Sequence, residues 1–313
     1  MTRYLLGQLV SLVLTLWVVL TLVFLPVRAL PGDAATIMGG IDSSAESIAE
    51  MRRSLGLAAT LSDQYVSFVG DLVQGDLGDS IRERRPVTAV LLDRLPVTLT
   101  LAAMAFVISI VFGLGLGLAA GLRPGGFFDR LTTGFATVAL SLPEFWFGFI
   151  LILVFAVQLG WFPVLGLPPT GLSLRSSWHM LLPAVTLAIP RAAQLARLGR
   201  ARVREERSSD YVRTARSKGL SAGRIGRHIA SNALPGIVPL LALELGGLLT
   251  GTIVVEQVFG LPGLGATLLG GISARDYPVV QGVTILAVVI YVGVNWLADV
   301  TQLIADPRLR APA

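Results

Sequence analysis

The sequence predicts an all-α integral membrane protein, and three observations carry that prediction. Charged residues make up 14% of the 313 and hydrophobic residues 53%, with mean hydropathy +0.73; a soluble domain carries about 25% charged residues. Several long stretches hold no charge at all, each near the roughly 20 apolar residues that a helix needs to cross a bilayer. Between two of these runs lies a basic block, residues 191–232, which holds eleven of the 25 Lys+Arg and only three of the 20 acids.

Six spans follow in order. No charge occurs between Arg3 and Arg28, which sets a first span over residues 4–25. Its length, and the lack of a small-residue cleavage site at its end, argue against a signal peptide. The charge-free stretch from Arg94 to Arg123 gives a second span, 95–122. A third, 131–159, is interrupted by Pro143 and Glu144, and a shorter fourth covers 178–196. The fifth, 233–255, contains Glu244, and the sixth, 279–304, ends near Asp299. Residues 258–265, with three glycines and a proline, read as a re-entrant turn before the last span.

Charge placement orients the bundle. With both termini in the cytoplasm, sixteen basic residues fall inside and nine outside. Most of the nine lie in one long segment between Arg28 and Arg94 that also carries ten acids, and long translocated segments count little in the positive-inside rule. That segment, about 65 residues, is extracytoplasmic on this reading. Tyr65, Phe68, Val69 and Leu72 fall at helical spacing within it, which suits a helix lying on the outer membrane surface or one packed as a cap on the bundle. The expected division is residues 1–93 for the first helix and outer segment, 94–304 for the membrane core, and 305–313 for a cytoplasmic tail.

Several function classes are excluded. The pI near 10.2 reflects arginines in loops, without the aromatic-studded basic surface of a nucleic-acid binder. There is no cysteine, so no thiolate metal site. Lys218 is the only lysine and precedes Gly219, so the Gly-Lys-Ser/Thr of a Walker A loop is missing. His179 and His228 are the only histidines; His179, beside Trp178, reads as an interfacial anchor and His228 as structural. The chain is not expected to be an enzyme or to hold a cofactor or metal of its own.

The basic block has internal design. Asp210 suits a helix N-cap, residues 211–218 make about two turns with Lys218 at the negative dipole end, and Gly219 suits the left-handed residue that closes a helix. Ser221 caps a second helix whose Ile225 and Ile229, one turn apart, pack back on the bundle. Tyr211, Thr214, Ala215 and Lys218 share one face of the first helix. That face fits a docking surface for another protein, and it also fits a solvated basic helix.

The run YVRTARSKGL, residues 211–220, followed by HIASNALP, 228–235, resembles the EAA loop of bacterial ABC importer permeases in the dipeptide, oligopeptide and nickel subfamily. LPGDAA (30–35), GDLGDS (75–80), LPVTLTLA (95–102), SLPEFWFGFILILVFAVQLGWFPVLG (141–166), GTIVVEQVFGLPGLG (251–265) and DPRLR (306–310) are similar to that subfamily in the same order, over essentially the whole chain. The resemblance implies a type I importer fold and a bacterial inner-membrane location. It also implies a homologous second permease, two ATPase subunits that bind ATP and Mg, and an extracytoplasmic binding protein. Its expected cargo is a di- or oligopeptide, with nickel or a chelated metal as the alternative; an ion-gradient carrier is a distant third. Tyr211, Arg213, Thr214, Ala215, Lys218, Gly219 and Leu220 would form the coupling helix and its turn. Arg213 and Thr214 stand where the family's name-giving Glu-Ala begins.

Within the spans, Glu144 and Glu244 lie roughly 15–20 Å from the cytoplasmic starts of their helices at 1.5 Å per residue. A mid-bilayer acid costs ~2.5–3.5 kcal/mol on insertion scales and faces a cavity or a partner. Both could line a cargo path that favours a cationic group, or simply bond a neighbouring helix. Pro143 could kink the third span and free a carbonyl toward a cavity, or serve packing alone. The GxxxG spacings of Gly113, Gly117 and Gly121, and of Gly247 and Gly251, suit close helix approach, within this chain or to a second permease.

Overall fold

The computed structural model describes residues 2–29, 44–54, 56, 58–168 and 174–305. The LPGDAA and DPRLR stretches lie outside the described residues. The helices are α1 (Thr2–Ala29), α2 (Ala45–Ser54), α3 (Leu61–Val73), α4 (Val87–Ser109), α5 (Gly115–Leu122), α6 (Phe127–Ser141) and α7 (Glu144–Leu151). They continue with α8 (Leu174–Arg207), α9 (Asp210–Ser217), α10 (Ala222–Ala233), α11 (Val238–Phe259), α12 (Leu264–Ala274) and α13 (Tyr277–Ala305). A π-helical turn, Ile110–Leu114, joins α4 to α5, and another, Ile152–Gln158, extends α7. Among the described residues there is no strand, only an isolated bridge between Asp79 and Pro86.

The chain forms two compact units: residues 1–96 with 263–292, and residues 97–262 with 293–313. In the first, α3 starts at Thr60, whose hydroxyl accepts the Asp63 N–H at 3.3 Å. Tyr65 and Phe68 pack on Phe24 of α1, with ring centroids 5.3 and 5.5 Å apart, and Tyr65 and Thr21 share a 2.8 Å hydroxyl contact. α3 is thus packed on α1, and Val66 and Val73 stay exposed on its far side. The GDLGDS loop is tied to the start of α13. Ser80 Oγ donates to Asp276 Oδ2 at 2.6 Å and the Arg82 N–H donates to the same oxygen at 3.0 Å.

The second unit is organised on α8. Leu187, Ala188, Leu248, Val255 and Phe259 form its main apolar core with Val97, Leu101 and Ala105. Gly113, Gly117 and Gly121 all face α8, so this small-residue stripe serves packing within the chain. A methyl group at Gly117 would lie 2.7 Å from the Ala196 carbonyl oxygen, closer than real side chains come.

Each of the six expected spans lies mostly on helix, with a break at residues 142–143 in the third and a 3-10 turn, Leu234–Gly236, in the fifth. By length and apolarity alone, Val87–Leu122 and Tyr277–Leu297 qualify as membrane spans, and up to four do if each bent pair is one span. In the third span the break at Leu142–Pro143 bends α6 against the helix after it by 102°. Two expectations change. Residues 197–207, expected beyond the fourth span, do not leave the helix as a loop: α8 runs through them, and Arg200 and Arg204 meet Asp129 of a neighbouring helix. Residues 258–265 are more than a turn, since Gly260, at φ +60°, ends α11 and Leu264 already begins α12.

Candidate functional site

The expected coupling element, residues 210–220, is built from a short exposed helix and the apolar contacts that fasten it. Ser209 takes the extended N-cap conformation and Asp210 sits in the first turn, one residue later than expected of a cap. An acid there still faces the positive dipole end. Gly219 takes φ +74°; its N–H donates to the Arg216 carbonyl at 3.0 Å and the Leu220 N–H to the Ala215 carbonyl at 3.2 Å. These two bonds make a Schellman closure, which needs a left-handed residue and brings its flanking apolar residues together. Val212, Val203, Ile225, Ile229 and Ala233 form the anchoring cluster, with Ala215 and Leu220 packed against it.

This placement revises the expected face. Ala215 and Leu220 turn inward, while Arg213, Thr214, Ser217, Lys218 and Gly219 are exposed. Geometry explains the change: Val212 and Ala215, at i and i+3, define the buried side, so the residues between and after them point out. Tyr211 lies at the margin, and its hydroxyl donates to Glu206 Oε2 at 3.0 Å. Partial burial raises its pKa above the ordinary tyrosine value.

Helix α8 carries a second constellation. Arg191 Nη2 donates to Glu144 Oε1 at 3.2 Å and to the Gly247 carbonyl at 3.1 Å, while its Nη1 lies 3.7 Å from Glu244 Oε2. Glu144 begins α7, directly after Pro143 at the N-cap, and Glu244, only 3% exposed, projects from α11. One guanidinium therefore joins three helices. Gly247 and Gly251 make room for it: a methyl at Gly247 would lie 2.8 Å from Arg191 Nη1, and one at Gly251 2.9 Å from Glu144 Oε2. The partner arginine was hidden in the sequence because it opens the basic block.

A third cluster lies further along α8. Asp129, at the start of α6, accepts from Arg200 Nε, from Arg204 Nη2 at 2.8 Å and from the Gly125 N–H at 2.7 Å. It is the only acid between Asp93 and Glu144, and that isolation was the available signal. Thr98 Oγ1 donates to the fully buried Glu256 Oε1 at 2.7 Å, which places a further acid inside an apolar helix. Between α6 and α8 a cavity of about 230 Å³ is lined by Thr133, Thr137, Ser141 and Arg197 among others. Among the described residues no three His, Asp or Glu side chains converge as a metal site would require.

Comparison with known proteins adds to this geometry. The family described as "Binding-protein-dependent transport system inner membrane component" matches residues 110–311, and its N-terminal companion family matches 1–102. The chain is 38% identical over 312 residues to the glutathione transport system permease protein GsiC of Escherichia coli K12, covering 99% of each chain. It is 35% identical over 310 residues to the probable peptide ABC transporter permease protein y4tP of Sinorhizobium fredii, covering 98% and 99%. Among solved structures, the MetNI methionine ABC transporter in inward-facing form matches with TM-score 0.58 at 20% identity, covering 70% of this chain and 97% of the other. An amino acid ABC transporter structure matches with TM-score 0.54 at 20% identity, covering 69% and 94%. These two likenesses concern the fold.

Proposed function

Because this chain belongs to the family of binding-protein-dependent transport system inner membrane components, the permease subunits of ABC importers, we propose that it carries di- or oligopeptides by alternating access. The observation that supports this cargo is the match, over nearly the full length of both chains, to glutathione and peptide permeases. Permeases of this family work with ATPase subunits, a second permease and a substrate-binding protein. In this reading both termini are cytoplasmic, and ATP and Mg are bound and used only in the ATPase partners.

Helix α9 is the coupling helix. Its buried side, through Val212, Ala215 and Leu220, fastens it to α10 and to the end of α8, so motion imposed on the exposed ridge reaches the spans. Arg213, Thr214, Lys218 and Gly219 form the surface offered to the ATPase, and Tyr211 braces its edge. Closing the ATPase pair on ATP draws two such helices together and opens the path outward; hydrolysis resets it. Nucleotide must therefore bind the outward state more tightly, since equal affinity for both states shifts nothing. Pro143, Glu144 and Glu244 lie on the path, where the break before α7 and the Arg191 cluster set its polarity.

The test is uptake by the assembled complex in proteoliposomes. ATP-dependent accumulation of small peptides supports the proposal. Accumulation of nickel without peptide moves the assignment to the metal-carrying branch, and uptake that persists without ATPase subunits overturns it. For the path, Glu144→Ala and Glu244→Ala should raise the half-saturating cargo concentration; unchanged uptake at limiting and saturating cargo removes them from it.

A further inference from the structure

Four arginines from four elements line one cavity of about 790 Å³: Arg123 after α5, Arg207 at the end of α8, Arg216 on α9 and Arg227 on α10. None of the four has a carboxylate partner among the described residues. The acids of the basic block are engaged elsewhere. Glu205 pairs with Arg202 at 3.0 Å, Glu206 accepts the Tyr211 hydroxyl, and Asp210 lies 3.8 Å from Arg213. Asp129 serves Arg200 and Arg204. Four like charges around one cavity repel each other, and an anion placed there relieves that repulsion.

The rest of the lining says which anion. Leu122, Leu220 and Ile225 make part of the wall apolar. Leu122 ends a 36-residue apolar helix, so the cavity opens where a span leaves the membrane. Just beyond, Phe127 and Phe128 are 74% and 43% exposed and meet edge to face at 5.6 Å, an apolar pair that the protein leaves uncovered and that lipid chains can cover. The volume is ample for more than one phosphate group.

We infer that this cavity holds the phosphate headgroup of an anionic phospholipid from the leaflet on the coupling-helix side, and that the bound lipid ties α9 to the ends of α5 and α8. Guanidinium pairs recognise phosphate oxygens bidentately, and basic pockets between membrane helices on the cytoplasmic side suit such headgroups. Soluble phosphates share this chemistry and are separated by the test. Occupancy would set how firmly the coupling helix is held, which makes transport responsive to the lipid around it. Nothing in this inference depends on the cargo.

The experiment uses the complete permease–ATPase complex in nanodiscs of phosphatidylcholine with graded cardiolipin, read by native mass spectrometry and by ATPase rate. Wild type is expected to retain cardiolipin. Arg123→Gln with Arg227→Gln, neither of them on the coupling helix, should weaken retention on the order of thirtyfold and flatten the dependence of ATPase rate on cardiolipin. Arg123→Lys with Arg227→Lys, which keeps the charge, should restore most of the retention and so separates lost charge from misfolding. Equal retention by wild type and the glutamine variant overturns the inference. So does displacement of the lipid by millimolar pyrophosphate with the ATPase rate maintained, which assigns the site to soluble phosphate. A wild-type complex without cardiolipin, whose glutamine variant sheds its ATPase subunits, assigns the arginines to the partner protein and also overturns it.

Discussion

Arg191 on α8 holds Glu144 of α7 at 3.2 Å and lies 3.7 Å from Glu244 of α11, so one cation serves two acids from two other helices. All three side chains are well shielded, Glu244 almost completely. Removing the cation strands both carboxylates, and breaking a buried pair from one side costs about 3–5 kcal/mol. Arg191→Met should therefore sharply lower the thermal stability of the purified complex. Replacing the whole cluster, as Glu144→Gln, Arg191→Met and Glu244→Gln together, should be milder than Arg191→Met alone, because no charge is left unmatched. Thermal unfolding of the three forms, followed by size-exclusion chromatography, decides it. A triple variant less stable than the single one would contradict the pairing.

Gly219 makes a prediction about coupling rather than folding. At φ +74° it closes α9, and a side chain there meets no neighbouring atom within 4 Å, so the only cost is conformational. For an L-residue in the left-handed region that cost is about 1–2 kcal/mol. Gly219→Ala should leave membrane insertion and expression unchanged while reducing co-purification of the ATPase subunits and ATP-driven uptake. Gly219→Asn should be closer to wild type, since asparagine tolerates this conformation better. If the two variants cannot be told apart, the turn conformation is not what matters at this position.

How far the sequence could be read depended on whether the signal was local. Apolar runs foretell helices, and a glycine two turns after an acid suited to a helix start foretells the closure at Gly219, because both depend on near neighbours. The Arg191–Glu144 and Asp129–Arg200 pairs span 47 and 71 residues, and no periodicity announces such contacts. That is why residues 197–207 read as a loop: hydropathy registers the arginines but not the carboxylates that meet them on other helices. The inward turn of Ala215 was hidden for a related reason, since which face of an eight-residue helix is buried depends on what α10 presents to it. The break near Pro143 was visible as a proline, though its 102° bend was not.

Gly117 tests the close approach of α5 to α8. A methyl there would sit 2.7 Å from the Ala196 carbonyl oxygen and 3.1 Å from its Cα, and backbone cannot move aside as a side chain tip can. Overpacking of this kind costs about 1–3 kcal/mol. Gly117→Ala should lower the melting temperature of the complex, whereas Gly115→Ala, where nothing lies within 4 Å, should leave it unchanged or slightly raised. A matched drop at both positions would show that the effect is not helix contact.

Ser80 and Asp276 form the buried tie between the 75–85 loop and the start of α13. The Ser80 hydroxyl donates to Asp276 Oδ2 at 2.6 Å and also accepts the Glu83 N–H at 2.9 Å. Asp276 Oδ1 meanwhile accepts the Val279 N–H at 3.4 Å, in the first turn of the helix that follows. Ser80→Ala removes one donor to a buried carboxylate and one acceptor of a loop amide, a loss of about 1–3 kcal/mol. Asp276→Asn keeps much of the shape but turns one acceptor oxygen into an amide NH2 and weakens the other. Because the two residues touch, the double variant should cost less than the sum of the singles, with a coupling of about 0.5–3 kcal/mol. Limited proteolysis of the purified protein offers a local readout: each single variant should expose residues 75–85 to cleavage, and the double variant should add little more. Strict additivity would mean that the two side chains act independently, and that the loop is held by something else.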